Sequence, residues 1–115
     1  NRMANVYDTA NQLERELRET EQYQALAQAY EEIRADEDAS GVLAEFQALQ
    51  QALYQKQQAG EEISEEEALQ AQNVSGKMTE NELTMELMEK ERSLNQVLND
   101  INGIIMKPVQ DIYQG

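Results

Sequence analysis

Histidine and cysteine are both absent from these 115 residues. With them go the commonest general base, the thiolate nucleophile and the usual zinc ligands. The lack of cysteine also removes any disulfide framework, which fits a cytoplasmic protein. Di-iron centres in helical bundles need Glu-x-x-His on two helices, so that site is excluded as well. No phosphate loop or glycine-rich turn is present, no cofactor is expected, and no small-molecule ligand is evident. Glutamate pairs such as Glu86/Glu89 and Glu14/Glu31 remain, and acids at helical spacing read as solvated faces. No catalytic residues are expected, and the chain does not read as an enzyme.

Positive charge is scarce too. Nine basic residues stand against 23 acidic ones, a net charge of −14, and the nine are scattered without a run or stripe. A phosphate backbone needs clustered Lys and Arg, so no direct nucleic-acid binding is expected. The same charge repels an anionic membrane surface. No apolar run approaches the roughly 18 residues of a membrane span, and no signal peptide is expected.

What is abundant is helix-forming. Glycine is sparse at five residues and proline occurs once, while Ala, Leu, Glu and Gln dominate. An apolar content of 40% is ordinary, so acidity is a surface property and not a sign of disorder. The length suits residues 1–115 forming one helical domain, with Asn1 and Arg2 read as additions ahead of a start Met3. The fold class expected is all-α: a small bundle of about five or six helices built on two long antiparallel ones, about 37–59 and 80–105.

In chain order, Asn5 caps a first helix with Asp8 in its first turn and Val6, Ala10, Leu13 and Leu17 as its stripe. Thr20 caps a second, whose buried face is Tyr23, Leu26, Ala27, Tyr30 and Ile33. The stretch Asp36-Glu37-Asp38-Ala39-Ser40-Gly41 follows the opening of an EF-hand loop. Its twelfth position, however, is Gln47, which lacks the bidentate carboxylate. Ala39, Val42, Phe46, Leu49 and Leu53 moreover run at helical spacing straight through it. A third helix capped by Asp36 or Asp38 and stopped at Gly60 is the expectation, with no metal site. Its glutamines Gln47, Gln50, Gln51, Gln55, Gln57 and Gln58 read as a solvated face. Ser64 with Glu67 makes a capping box for a fourth helix carrying Ala68, Leu69, Ala71, Val74 and Met78.

Thr79 with Glu82 reads as a second capping box that opens the longest helix. Its stripe is Leu83, Leu87, Leu94, Leu98, Ile101 and Ile105, and Lys107-Pro108 predicts a boundary before a short last helix holding Val109, Ile112 and Tyr113. Met85 and Met88 fall on the side away from that stripe, while Val97 and Ile104 widen it. So much apolar circumference predicts a second packing surface, filled by another subunit or a partner protein. A two-fold homodimer is the arrangement expected.

The sequence resembles the YlbF/YmcA-like proteins of Gram-positive bacteria, and within them the YheA branch. The likeness lies in Val6-Tyr7-Asp8-Thr9-Ala10-Asn11, Leu17-Arg18-Glu19, Ala29-Tyr30, Ala35-Asp36-Glu37, Glu45-Phe46 and Lys56-Gln57. It ends in Ile104-Ile105-Met106-Lys107-Pro108, its most specific part, and Ile112-Tyr113. The resemblance implies an all-helical cytosolic protein that tends to dimerise. Better-studied relatives act in a complex that supports ribonuclease-dependent RNA maturation and affects biofilm formation, competence and sporulation. Their cysteines linked to iron–sulfur clusters have no counterpart here, so no cofactor is carried over. Met85, Met88, Met106, Lys107 and Pro108 are the candidate interaction surface. The function expected is that of a non-catalytic helical protein-interaction protein. The alternatives are an adaptor subunit of an RNA-processing complex and a holdase-like chaperone.

Overall fold

The structure, a computed structural model, describes residues 5–115; Asn1, Arg2 and Met3 lie outside the described residues. It is all-α, with five helices and no strand among the described residues: α1 (Val6–Arg18), α2 (Glu21–Arg34), α3 (Glu37–Gln58), α4 (Glu65–Glu80) and α5 (Glu82–Gln114).

Helix starts follow the polar residues that can satisfy free backbone N–H groups. The Asn5 side chain accepts from the amides of Tyr7 and Asp8. Thr20 accepts from the Tyr23 amide while its own hydroxyl donates to the Leu17 carbonyl. Asp36 accepts from the Ala39 amide at 2.9 Å, so the stretch with EF-hand likeness is helix from Glu37 onward. Ser64 and Glu67 form the full reciprocal capping box. At the end of α3, Gly60 takes φ +74°, a left-handed conformation that glycine adopts without a Cβ penalty. The Glu61 amide then reaches back to the Lys56 carbonyl and the Gly60 amide to that of Gln57, closing a Schellman motif.

Two boundaries differ from the sequence expectation. The Thr79/Glu82 box does not form: α4 continues through Thr79, whose hydroxyl donates to the Gly76 carbonyl. Asn81 is the cap instead, its side-chain oxygen accepting from the amides of Leu83 and Thr84 at 3.0 and 3.1 Å. Asparagine is at least as good a cap as threonine, and the Thr84 hydroxyl locks this choice by donating to the Met78 carbonyl at 2.6 Å. The second difference is at Pro108, which lies inside α5 and does not start a new helix. The proline deprives the Ile104 carbonyl of its helical partner. Every residue from Asn102 to Gly115 is exposed, so water can take that partner's place.

The chain divides into two compact units. The central unit, Ala29–Met88, comprises the end of α2, all of α3 and α4, and the first two turns of α5. Its core is Ala29, Ile33, Ala39, Leu43, Val74, Met78 and Leu87, with Thr84 the one buried polar residue. Helices α3 and α4 lie antiparallel, stitched by Lys56–Glu67 at 2.7 Å near the hairpin tip and Lys77–Glu45 at 3.2 Å further along. On α2 the buried face is turned from the one expected. Ala29 is buried and Tyr30 is exposed; at 100° per residue the two flank the direction of Ile33 on opposite sides, and the packing buries the Ala29 side.

The terminal unit holds the residues up to Gln28 together with Glu89–Gly115. None of its described residues is buried. Leu13, Leu17, Tyr23, Leu26, Leu94, Val97 and Ile101 reach only half-burial.

Candidate interaction surface

The five residues singled out from sequence do not fall in one unit. Met85 and Met88 belong to the central unit, where Met85 is 43% exposed and Met88 is half-buried. Met106, Lys107 and Pro108 belong to the terminal unit and are all exposed. At 100° per residue Lys107 points away from the apolar face of α5, Met106 sits at its edge and Pro108 lies within it.

That face is the larger feature. Leu94, Leu98, Ile101, Ile105, Val109 and Ile112 recur every three or four residues and share one side of the helix. Leu94 and Ile101 are half-buried, whereas Ile105 is 59%, Ile112 74% and the neighbouring Tyr113 86% exposed. The pattern that marks a buried stripe thus outlasts the burial by about three turns. Sequence periodicity assigned these residues to the core or to a separate last helix. Their spacing, regular across Pro108, was the signal that they form one continuous face.

This arm, residues 102–115, is also a poor helix on its own account. Gly103 and Pro108 cost about 1 and 3 kcal/mol relative to alanine, and Ile104, Ile105, Val109 and Ile112 are β-branched. A segment of this length is marginal in water even with alanine-rich composition.

Electrostatics separate the two units further. Ala29–Met88 carries 14 acids and three bases, and the rest of the chain nine acids and six bases. Between Asn102 and Gly115 the only charged side chains are Lys107 and Asp111, both turned from the apolar face.

The central unit's own concavities differ, the first mainly polar and the second mainly apolar. One shallow cleft is lined by Asp36, Asp38, Glu45, Lys77, Glu80 and Glu82 among others. A second, lined by Leu53, Tyr54, Gln57 and Ile63, sits beside the α3–α4 loop. Among the described residues no three His, Cys, Asp or Glu side chains are grouped so as to hold a metal ion. No buried titratable side chain is present among them either.

Among the described residues two ionisable groups are perturbed. The Glu67 carboxyl is lowered to about 2, first by its bond from the Lys56 ammonium and then by the Ser64 amide. Arg18 is raised by its bond to Glu14 one turn earlier. The first is a half-buried pair between helices and the second an exposed pair within one helix, and neither faces a reactive partner. Nothing in this arrangement points to catalysis.

Known proteins similar to this chain carry the same architecture. Residues 6–110 match the family described as control of competence regulator ComK, YlbF/YmcA. A UPF0342 protein of Pediococcus pentosaceus is 44% identical over 110 residues, covering 96% of each chain. One from Listeria welshimeri is 40% identical, covering 95% of this chain and 93% of its own. Among solved structures, a DUF964 protein of unknown function from Bacillus stearothermophilus superposes with a TM-score of 0.88 at 32% identity, covering 96% of both chains. The yheA protein from Bacillus subtilis does so with a TM-score of 0.75 at 31% identity, over 96% of this chain and all of its own. With helices, spacing and nearly full-length similarity in agreement, the chain belongs to the YlbF/YmcA family and is of the YheA type.

Proposed function

We propose that this protein is a non-catalytic, homodimeric interaction protein of the cytoplasm that acts by docking helical surface onto other proteins. The observation that carries the reading is the exposed apolar face of α5, held on a unit none of whose described residues is buried. Large contiguous apolar faces are uncommon on isolated monomers and mark association sites. The strong negative charge supports partners that are proteins over nucleic acid. The name of the matching family, which refers to control of a competence regulator, supports a regulatory or adaptor role within this reading.

The test is co-purification of the tagged chain at native level, with each candidate partner tagged in turn for reciprocal capture. Reciprocal recovery of the same regulator or ribonuclease subunit supports an adaptor. A chain that recovers no partner and turns over a substrate overturns the reading. The holdase alternative draws on the same exposed surface. Failure to suppress aggregation of unfolded clients at near-stoichiometric ratio removes it.

A further inference from the structure

We propose that the groove beside the α3–α4 turn docks a basic segment of a partner protein, which sets a bulky apolar side chain into it with Lys or Arg alongside. The site shares no residue with the α5 face on which the proposed function rests. It is built from the last turns of α3. Gln50, Leu53, Tyr54 and Gln57 fall three or four residues apart and so share one side of that helix. At Gly60 the chain turns back, and Glu61, Glu62 and Ile63 close the other side of an open groove of about 760 Å³.

Its apolar lining is left without a partner inside the central unit. Ile63 precedes the Ser64 cap, a place from which a hydrophobic residue packs on the fourth residue of the helix. Here that residue is Ala68, which offers only a methyl group, and Ile63 stays 53% exposed. Tyr54 across from it is exposed as well. The loop wall is nevertheless fixed. The Lys56 ammonium donates to the Glu62 carbonyl at 3.4 Å and to Glu67 Oε1 at 2.7 Å, and the Ser64 amide donates to the same Glu67 oxygen. A groove already held in shape loses little conformational freedom when it is filled.

Charge selects the occupant. Residues 50–67 contain five acids and one base, and that base, Lys56, is engaged by Glu67 and the loop carbonyl. The end of α3 adds the negative pole of its helix dipole. Nucleic acid and anionic membranes are repelled here. A wholly apolar partner would strip water from Glu61 and Glu62 and put nothing in its place. An apolar anchor with Lys or Arg beside it satisfies both the lining and the rim.

The test titrates the full chain into a fluorescent peptide with leucine and phenylalanine between two pairs of arginines, read by anisotropy at physiological salt. Saturable binding of one peptide per chain is expected. Exchanging the arginines for glutamates, or the leucine and phenylalanine for alanines, is expected to weaken it by about tenfold or more. On the protein, Ile63→Ser and Glu61→Lys/Glu62→Lys are each expected to do the same, by about tenfold, with helical circular dichroism unchanged because all three side chains are exposed. Should Ile63→Ser lose helix, the double lysine variant makes the test alone. Glu37→Lys/Glu80→Lys makes the same charge change in the polar cleft, about 30 Å away along α3 and beyond the roughly 8 Å screening length. It is expected to bind like the wild type. No binding, binding that survives loss of the apolar pair, or equal losses from the two double variants overturns the proposal. A light-scattering mass lowered by Ile63→Ser would make the occupant a second copy and overturn it too. Partner capture through α5 does not depend on this peptide, so failure of the groove leaves the proposed function standing, and the reverse holds.

Discussion

The central and terminal units are similar in helix content and opposite in nearly everything else. Ala29–Met88 contains all of the buried side chains, a complete capping box, a Schellman turn and two ion pairs between its antiparallel helices. It also carries most of the acidity, 14 acids against three bases. No described residue of the terminal unit is buried; it has six of the nine bases and leaves Tyr7, Ile105, Ile112 and Tyr113 more than half exposed. Buried core and exposed apolar face are thus separated: most of the net charge, −11, lies on the unit that holds the core, and −3 on the other.

The comparison breaks most sharply if core and arm respond alike to the same loss. Ile33→Ala removes a buried core side chain and is expected to cost about 2–5 kcal/mol in denaturant unfolding. Ile104→Ala, on the exposed arm, is expected to change the unfolding of the central unit by less than about 0.5 kcal/mol. Equal losses would show that the two units fold as one. Next in size is Pro108→Ala, which restores the amide facing the Ile104 carbonyl and favours the arm helix by up to about 3 kcal/mol. Slower exchange confined to the last turns of α5 is expected. A rise in protection across Ala29–Met88 would contradict the separation.

Thr84→Val keeps the shape but leaves the Met78 carbonyl without its hydroxyl donor, at a cost of about 1–3 kcal/mol. Asn81→Ala removes the α5 cap and is expected to cost about 0.5–2 kcal/mol, whereas Thr79→Ala, at the threonine that does not cap, should cost less. The smallest effect concerns pH. Glu67 is lowered from 4.5 to about 2 when folded, so its ionised form favours the folded state. That contribution is complete above about 4.5 and is lost as pH falls toward 2. Glu67→Gln should therefore flatten the acid limb of the stability profile between those values, and an unchanged limb would mean the Lys56 pairing contributes nothing.

Much of this fold is legible residue by residue. Asn5, Thr20, Asp36 and Ser64 declare their helix starts because a short polar side chain before an apolar-periodic run has few other uses. Ile33, Ala39, Val74, Met78 and Leu87 lie on stripes that periodicity finds. Other features were hidden by competition between equally reasonable local signals. Thr79-x-x-Glu82 and Asn81 are rival caps two residues apart, and the hydroxyl of Thr84, a tertiary detail, chooses between them. Ala29 and Tyr30 both fit the rim of a helical stripe, and the choice between them depends on the packing. Pro108 reads locally as a break, but a proline is tolerated where the freed carbonyl meets water. For the candidate surface, sequence could recognise apolar faces on α5 but not which of them the chain itself would leave uncovered.

The junctions on either side of α4 differ in how much change they can absorb. Between α3 and α4 lie six residues, 59–64, all of them exposed. Between α4 and α5 lies Asn81 alone, whose amide closes one helix while its side chain opens the next. Insertions of tags, sensors or natural sequence should be accepted around Glu61–Ile63, where lengthening a loop costs little. One residue added at Asn81 would rotate everything after it by about 100° against Val74 and Met78. Length variation within this family should accordingly gather at the first junction and be missing from the second.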